Sequence, residues 1–194
     1  MRKFLFIILL FTFYLSPFTS HLARAQQFIG CRTESSSPRT PGGWAETPML
    51  RKTFTVTASD LEHYDFETLE FTVDVTSLGY HEVYINGTKV GDYVLQPAVS
   101  QLDKRALKVT YDITPYIHKG DNEIMLWLGQ GWGRIYGTPA VAKAEVSIGA
   151  SNTSHLSPLT FHLFQTDSTW EASPSPYSYT DNWQPMHFGG ENDT

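Results

Sequence analysis

From residue 67 onward apolar and polar residues alternate along this chain with a period of two. Residues 67–75 put Leu69, Phe71, Val73 and Val75 on one side and Glu70, Thr72 and Asp74 on the other. A strand with one buried face has that pattern. An earlier strand is predicted at 51–57, with Phe54 and Val56 on one face, and 59–64 is a connection with room for a helical turn. Residues 80–92 read as a hairpin around Asn86-Gly87. Both residues accept positive φ, which a type I′ turn requires and whose twist matches the flanking strands. An extended loop through Pro97, a strand at 107–111, a single turn at 112–117 and a reversal at Gly120-Asp121-Asn122 lead into a strand at 123–128. Further strands are expected at 141–148 and 159–165. No stretch holds a helical period and no internal repeat occurs. A series of short strands with turn chemistry between them predicts an all-β, antiparallel sandwich.

Two stretches qualify that picture. In 123–128, Ile124, Leu126 and Leu128 share one face while Met125 and Trp127 share the other. If the first set fills the core, the second lies outside the sheet and needs cover from a long loop or a neighbouring domain. From Asp167 onward Ser, Pro and Tyr dominate, with Trp170, Pro174, Tyr177, Tyr179, Trp183 and Pro185. Proline supplies no ladder donor, so this part is expected to wrap over the sandwich with one or two short edge strands.

The 194 residues suffice for one domain with a proper core. Residues 1–25 stand apart from it: Arg2 and Lys3, an apolar run over 4–15, and the small-x-small site Ala23-Arg24-Ala25. They read as a secretory signal peptide, followed by an extended lead-in at 26–48 and the sandwich at 49–194. A retained anchor fits less well, because the apolar run is short for a bilayer and Pro17 interrupts its end. Lipidation at Cys31 fits poorly too, since Cys31 sits well past that run. Losing residues 1–25 removes three of 14 basic residues and none of 20 acidic ones, moving the net charge from −6 to −9. Scattered negative charge argues against nucleic acid and anionic membrane as partners. A lone cysteine excludes an internal disulfide. Aromatic residues at 14% point to a dense core, to sugar-stacking surfaces, or to both.

Catalytic templates are missing. Gly129-x-Gly131-x-Gly133 meets Pro139 where a phosphate-binding helix would start. There is no His-Glu-x-x-His, paired cysteine or Gly-x-Ser-x-Gly, and the seven histidines are scattered. Cleaving a glycoside takes two carboxyl groups roughly 5–9.5 Å apart. Asp65 with Glu67, or Glu70 with Asp74, share a strand face but alternate with core positions and read as solvated strand faces. No catalytic residue is expected. The loop 131–137 is the best functional candidate. Trp132 and Tyr136 offer flat faces to a sugar ring, Arg134 and Gln130 offer hydrogen bonds to its hydroxyls, and the glycines allow close backbone approach. The competing reading is that Trp132 plugs the end of the sandwich or packs on another domain. Asn86, Asn152 and Asn192 begin glycosylation sequons, but Asn86 is already explained by its turn.

The ordered set Tyr80-x-x-Val83-Tyr84-Ile85-Asn86-Gly87-x-x-Val90-Gly91-Asp92-x-Val94-Leu95-x-Pro97, Lys104-Arg105, Tyr111-Asp112-Ile113-Thr114 and Leu128-Gly129-x-Gly131-Trp132 resembles the N-terminal domain of bacterial α-L-rhamnosidases. The likeness covers most of the chain after residue 48 and reaches Phe188-Gly189-Gly190-Glu191, where in that family the N-terminal module gives way to the rest of the enzyme. It implies a galactose-binding-like jelly roll. It also implies that the catalytic acid and base lie on a separate α-helical barrel, to which nothing in 26–194 corresponds. On this resemblance the chain is a non-catalytic module of an exported (periplasmic or extracellular) glycoside hydrolase, with rhamnose-containing glycans and the catalytic domain as partners. A free-standing carbohydrate-binding protein and a purely structural domain of a truncated gene product remain as alternatives. Sandwich modules of this kind can bind L-rhamnose with calcium. Asp92, Asp103, Asp121 and Asn122 are the oxygen-bearing candidates near the hairpin, and none is assigned as a ligand.

Overall fold

The alternation of 67–75 becomes the central strand of one sheet, and that of 123–128 the central strand of another. A computed structural model describes residues 27–32, 43–45, 47–57, 65–150, 160–178 and 190–191. The expected signal peptide, the connection at 59–64 and residues 179–189 of the C-terminal wrap lie outside the described residues. In chain order the strands are β1 (Pro48–Val56), β2 (Leu69–Ser77), β3 (Tyr80–Ile85), β4 (Thr88–Lys89), β5 (Lys108–Asp112), β6 (Gly120–Gly129), β7 (Ala142–Ala150), β8 (Thr160–Gln165), β9 (Glu171–Pro174), β10 (Tyr177–Ser178) and β11 (Gly190–Glu191). One sheet has the order β4-β3-β6-β1-β9 and the other β5-β2-β7-β8, while β10 and β11 pair with each other. All pairings are antiparallel. The fold is the expected all-β jelly-roll sandwich. Among the described residues no helix is long and apolar enough to cross a membrane.

Parity along each strand decides what fills the space between the sheets. Leu69, Phe71, Val73 and Val75 of β2 are buried, as are Ala142, Ala144, Val146 and Ile148 of β7. From the other sheet come Leu50 and Val56 of β1, Val83 and Ile85 of β3, and Ile124, Leu126 and Leu128 of β6. These belong to one hydrophobic cluster, so burial of a single continuous core holds the two sheets together. Met125 and Trp127 occupy the outer face of β6, as their parity requires, and are half-buried there. Trp127 lies 6.1 Å from the Tyr84 ring, centroid to centroid.

The turns follow the local chemistry. Asn86 has φ 51° and Gly87 φ 78°, the two positive values of a type I′ hairpin. The Asn86 side chain also sews neighbouring turns together. Its Nδ2 donates to the Tyr116 carbonyl and to Asn122 Oδ1, both at 2.9 Å, and its Oδ1 accepts the Glu123 N–H at 2.8 Å. Asn122 is buried, and its amide donates to the carbonyls of His118 and Gly120 at 2.7 and 2.9 Å. Ahead of β1, Ile29 exchanges backbone hydrogen bonds with Ala142 at 2.8 and 3.0 Å, and Cys31 is buried.

Candidate functional site

Three stretches distant in sequence meet at one end of the sandwich: the β2–β3 turn, the loop 93–102 and the turn after β6. Gly79, Tyr80, Pro97, Ala98, Val99, Ser100, Leu102 and Trp132 line a shallow cleft there of about 220 Å³, counting space open to solvent. The turn after β6 is a short 3₁₀ segment, Gly131–Arg134. The Gly133 N–H donates to the Gln130 carbonyl at 2.8 Å and the Ile135 N–H to the Trp132 carbonyl at 3.1 Å, and Thr138 closes the turn by donating to the Gly133 carbonyl from both N–H and Oγ1.

Glycine is required where this turn crosses β3. Gly131 has φ +47°, and a Cβ there would sit 2.1 Å from the Tyr80 ring. Gly79, at φ +140°, would bring a Cβ to 2.3 Å from the Gly129 carbonyl oxygen. Close approach of backbone to ring and of backbone to backbone therefore sets the cleft floor.

The four residues expected to read a sugar separate into different settings. Trp132 is half-buried and lines the cleft. Gln130 faces inward. It is 2% exposed, its Nε2 donates to the Thr138 carbonyl at 2.8 Å, and its Oε1 finds no donor among the described residues. Tyr136 is exposed beyond the turn, and Arg134 supplies the last backbone position of the 3₁₀ segment. Trp132 lines the cleft, and Gln130 and Tyr136 lie outside its lining. Tyr80 and Pro97, which share it, stand in the sequence only as members of the family-like set, and Val99 and Leu102 were not singled out there. The signal that finds them is the pair of glycines flanking Tyr80 and Trp132, together with the apolar run after Asp92.

That run continues outside the cleft. Tyr93, Val94 and Leu95 are 63%, 67% and 48% exposed, and Ile135 is 53% exposed. Leu95 adopts φ +63°, a region that branched side chains rarely visit. Three consecutive apolar side chains are thus exposed, one of them on left-handed backbone.

A buried polar network underlies the cleft. His81 is 2% exposed. Its Nδ1 lies 2.8 Å from Ser77 Oγ, its Nε2 lies 3.0 Å from the Tyr111 hydroxyl, and Ser77 Oγ donates to the Gly79 carbonyl at 3.1 Å. One assignment satisfies every group: Nδ1–H donates to Ser77, and the Tyr111 hydroxyl donates to Nε2. Burial lowers the His81 pKa to about 4. Burial, with Glu82 nearby, raises that of Tyr111 to about 12, which keeps its hydroxyl a donor. The His81 backbone N–H donates to the Gln96 carbonyl at 2.7 Å, fastening the 93–99 loop to the start of β3.

Asp92, Asp103 and Asp121 do not come together. Among the described residues no group of three or more His, Cys, Asp or Glu side chains is placed to hold a metal. Asp121 accepts from Thr55 Oγ1 at 2.7 Å, and the Asn122 amide is committed to its own turn. Of the carboxylates with strand spacing, Asp74 pairs with Lys108 at 2.5 Å, and Asp65, Glu67 and Glu70 are exposed.

The model of the α-L-rhamnosidase N-terminal domain matches residues 67–192. An α-L-rhamnosidase of Formosa agariphila is 36% identical over 115 residues, which cover 54% of this chain and 12% of that protein. An α-L-rhamnosidase of an Alteromonas species is 30% identical over 168 residues, covering 80% of this chain and 17% of that one. Among solved structures, the α-L-rhamnosidase of Dictyoglumus thermophilum superposes with a TM-score of 0.54 at 24% identity, over 79% of this chain and 16% of that one. The chain thus spans under a fifth of the length of these relatives.

Proposed function

Since the chain belongs to the α-L-rhamnosidase N-terminal domain family, we propose that it is the non-catalytic recognition module of an exported α-L-rhamnosidase-like glycoside hydrolase. In this role it holds rhamnose-containing glycans at the cleft beside Trp132 and packs on the catalytic part of the enzyme. The observation that carries the reading is Trp132 itself, a flat ring held half-buried at the mouth of a loop-built cleft. Such a ring stacks on the apolar face of a sugar, and loops at the end of a rigid sandwich are where binding residues gather. Packing on a second domain is supported by Tyr93, Val94 and Leu95, three consecutive exposed apolar side chains, since clustered exposed apolar surface marks sites of protein contact. Export rests on the signal-like residues 1–25.

Calorimetric titration of the chain with L-rhamnose, in calcium and then in chelator, tests the recognition role. Saturable binding that falls at least about tenfold in Trp132→Ala, equivalent to about 1.4 kcal/mol, is the expected result. Binding unchanged in that variant would remove the cleft assignment. No binding in either condition would leave only the packing role.

A further inference from the structure

We propose that Asn86 is a site of spontaneous deamidation, shielded in the folded domain by its own hydrogen bonds and converted when the domain stays unfolded. The chain holds one Asn-Gly pair, Asn86-Gly87. In such a pair the glycine nitrogen attacks the Cγ of the asparagine. The side-chain nitrogen leaves as ammonia, carrying the glycine amide proton, and a succinimide forms. Water then opens the ring to aspartate or isoaspartate. Glycine favours the attack because no side chain crowds its nitrogen and its backbone turns freely. Both residues are exposed in the folded domain, so water is at hand and protection has to come from geometry.

Ring closure swings the Asn86 amide onto the Gly87 nitrogen, and that amide is held elsewhere at three points. Nδ2 donates to the Tyr116 carbonyl and to Asn122 Oδ1, both at 2.9 Å, and Oδ1 accepts the Glu123 N–H at 2.8 Å. The Asn86 N–H donates to the Glu123 carbonyl at 2.9 Å, which fixes the backbone as well. Attack in the native state therefore waits on an opening that breaks the side-chain bonds. The converted side chain does not replace the amide. As a carboxylate it still accepts from Glu123, but its second oxygen faces two acceptors, the Tyr116 carbonyl and Asn122 Oδ1, with no proton to give either. Asn122 is not free to turn its own amide over. Its Oδ1 also accepts the His118 N–H at 3.1 Å, and its Nδ2 donates to the carbonyls of His118 and Gly120 at 2.7 and 2.9 Å. Isoaspartate would lengthen the backbone inside a two-residue turn and disturb the pairing of Tyr84 with Lys89 and of Ile85 with Thr88. The unfolded chain tolerates the change and the folded domain is penalised by it.

The test incubates the full chain at mildly alkaline pH, folded in buffer or unfolded in urea, and follows the tryptic peptide ending at Lys89 by mass spectrometry. Conversion at Asn86 is expected to be at least about tenfold slower in the folded chain. Equal rates would overturn the shielding. Asn86→Asp tests the consequence, because an Asp-Gly pair still suits a type I′ turn and any loss then reports the missing donors. Its urea midpoint should fall below that of the parent, and the refoldable fraction of the unfolded parent should decline in step with conversion at Asn86. A midpoint equal to the parent's, or full refolding of converted chain, would overturn the consequence. Failure of Asn86→Asp to fold is the expected loss in its strongest form, and the rate comparison on the parent chain stands independently of it.

Discussion

Acidification should loosen this domain through one residue, His81. Its imidazole is buried, with Ser77 on one nitrogen and the Tyr111 hydroxyl on the other. In the neutral ring both nitrogens are satisfied. A proton added at Nε2 would face the Tyr111 hydroxyl as a second donor, in a site that burial has already made hostile to charge. The folded-state pKa is lowered from 6.5 to about 4. The unfolded chain therefore binds the proton first as pH falls. The stability that His81 contributes is complete above pH 6.5, declines between 6.5 and about 4, and is gone below. At about 1.4 kcal/mol per pH unit across that window, the loss is about 3 kcal/mol, a large fraction of the roughly 5–15 kcal/mol that holds a domain folded.

Urea unfolding at half-unit steps from pH 7 to pH 4, in parallel for the unaltered chain and His81→Gln, isolates this contribution from the many carboxylates that titrate in both. The difference between the two stabilities should shrink by about 3 kcal/mol across the window. The imidazole C2 proton should report directly on titration of the folded ring near pH 4. Two stability curves that run parallel, or a ring that titrates above pH 6, would refute the reasoning.

Two further substitutions test how the cleft is built. Gly131→Ala places a Cβ 2.1 Å from the Tyr80 ring on backbone at φ +47°; it should cost about 1–3 kcal/mol in urea unfolding and weaken L-rhamnose binding, and a variant as stable as the parent would contradict the close approach. Gln130→Ala leaves the Thr138 carbonyl without its donor and should lower stability by about 1–3 kcal/mol; a variant that instead lost sugar affinity at unchanged stability would restore Gln130 as a direct hydroxyl reader.

The parity of β2 and β6 was readable from the sequence because one face of each strand meets the opposite sheet, so period-two alternation is imposed residue by residue. Asn86-Gly87 was readable because Asn and Gly adopt the required positive φ values more readily than other residues. Element ends were less so. β1 begins at Pro48, ahead of the expected residue 51, because Pro48–Arg51 pair with β9, a partner more than 100 residues away that no local pattern announces. Gln130 illustrates the corresponding limit for a site. Next to Trp132 in a glycine-rich loop it has the chemistry of a hydroxyl reader, yet the turn rotates its amide inward onto Thr138. Asp121-Asn122 offered oxygens for a cation, and Asn122 spends its amide holding a turn closed.

The cleft depends on the core through the two ends of β3. Along Tyr80–Ile85, Val83 and Ile85 face the opposite sheet as pure hydrocarbon. His81 shares their face at the end of the strand, where its ring partners the Ser77 and Tyr111 hydroxyls. Its backbone N–H, pointing along the sheet, holds Gln96 and with it the apolar loop. Tyr80, one residue earlier and of opposite parity, turns its ring onto Gly131 and into the cleft. One strand thus fixes the core by its inward residues, the apolar loop by a backbone hydrogen bond, and the cleft wall by an outward ring. A change that expels the His81 ring from its site should therefore displace the Gln96 carbonyl and reduce sugar affinity before the sandwich itself unfolds. In the pH series this would appear as affinity falling ahead of the unfolding midpoint, and affinity and stability declining together would argue against the coupling.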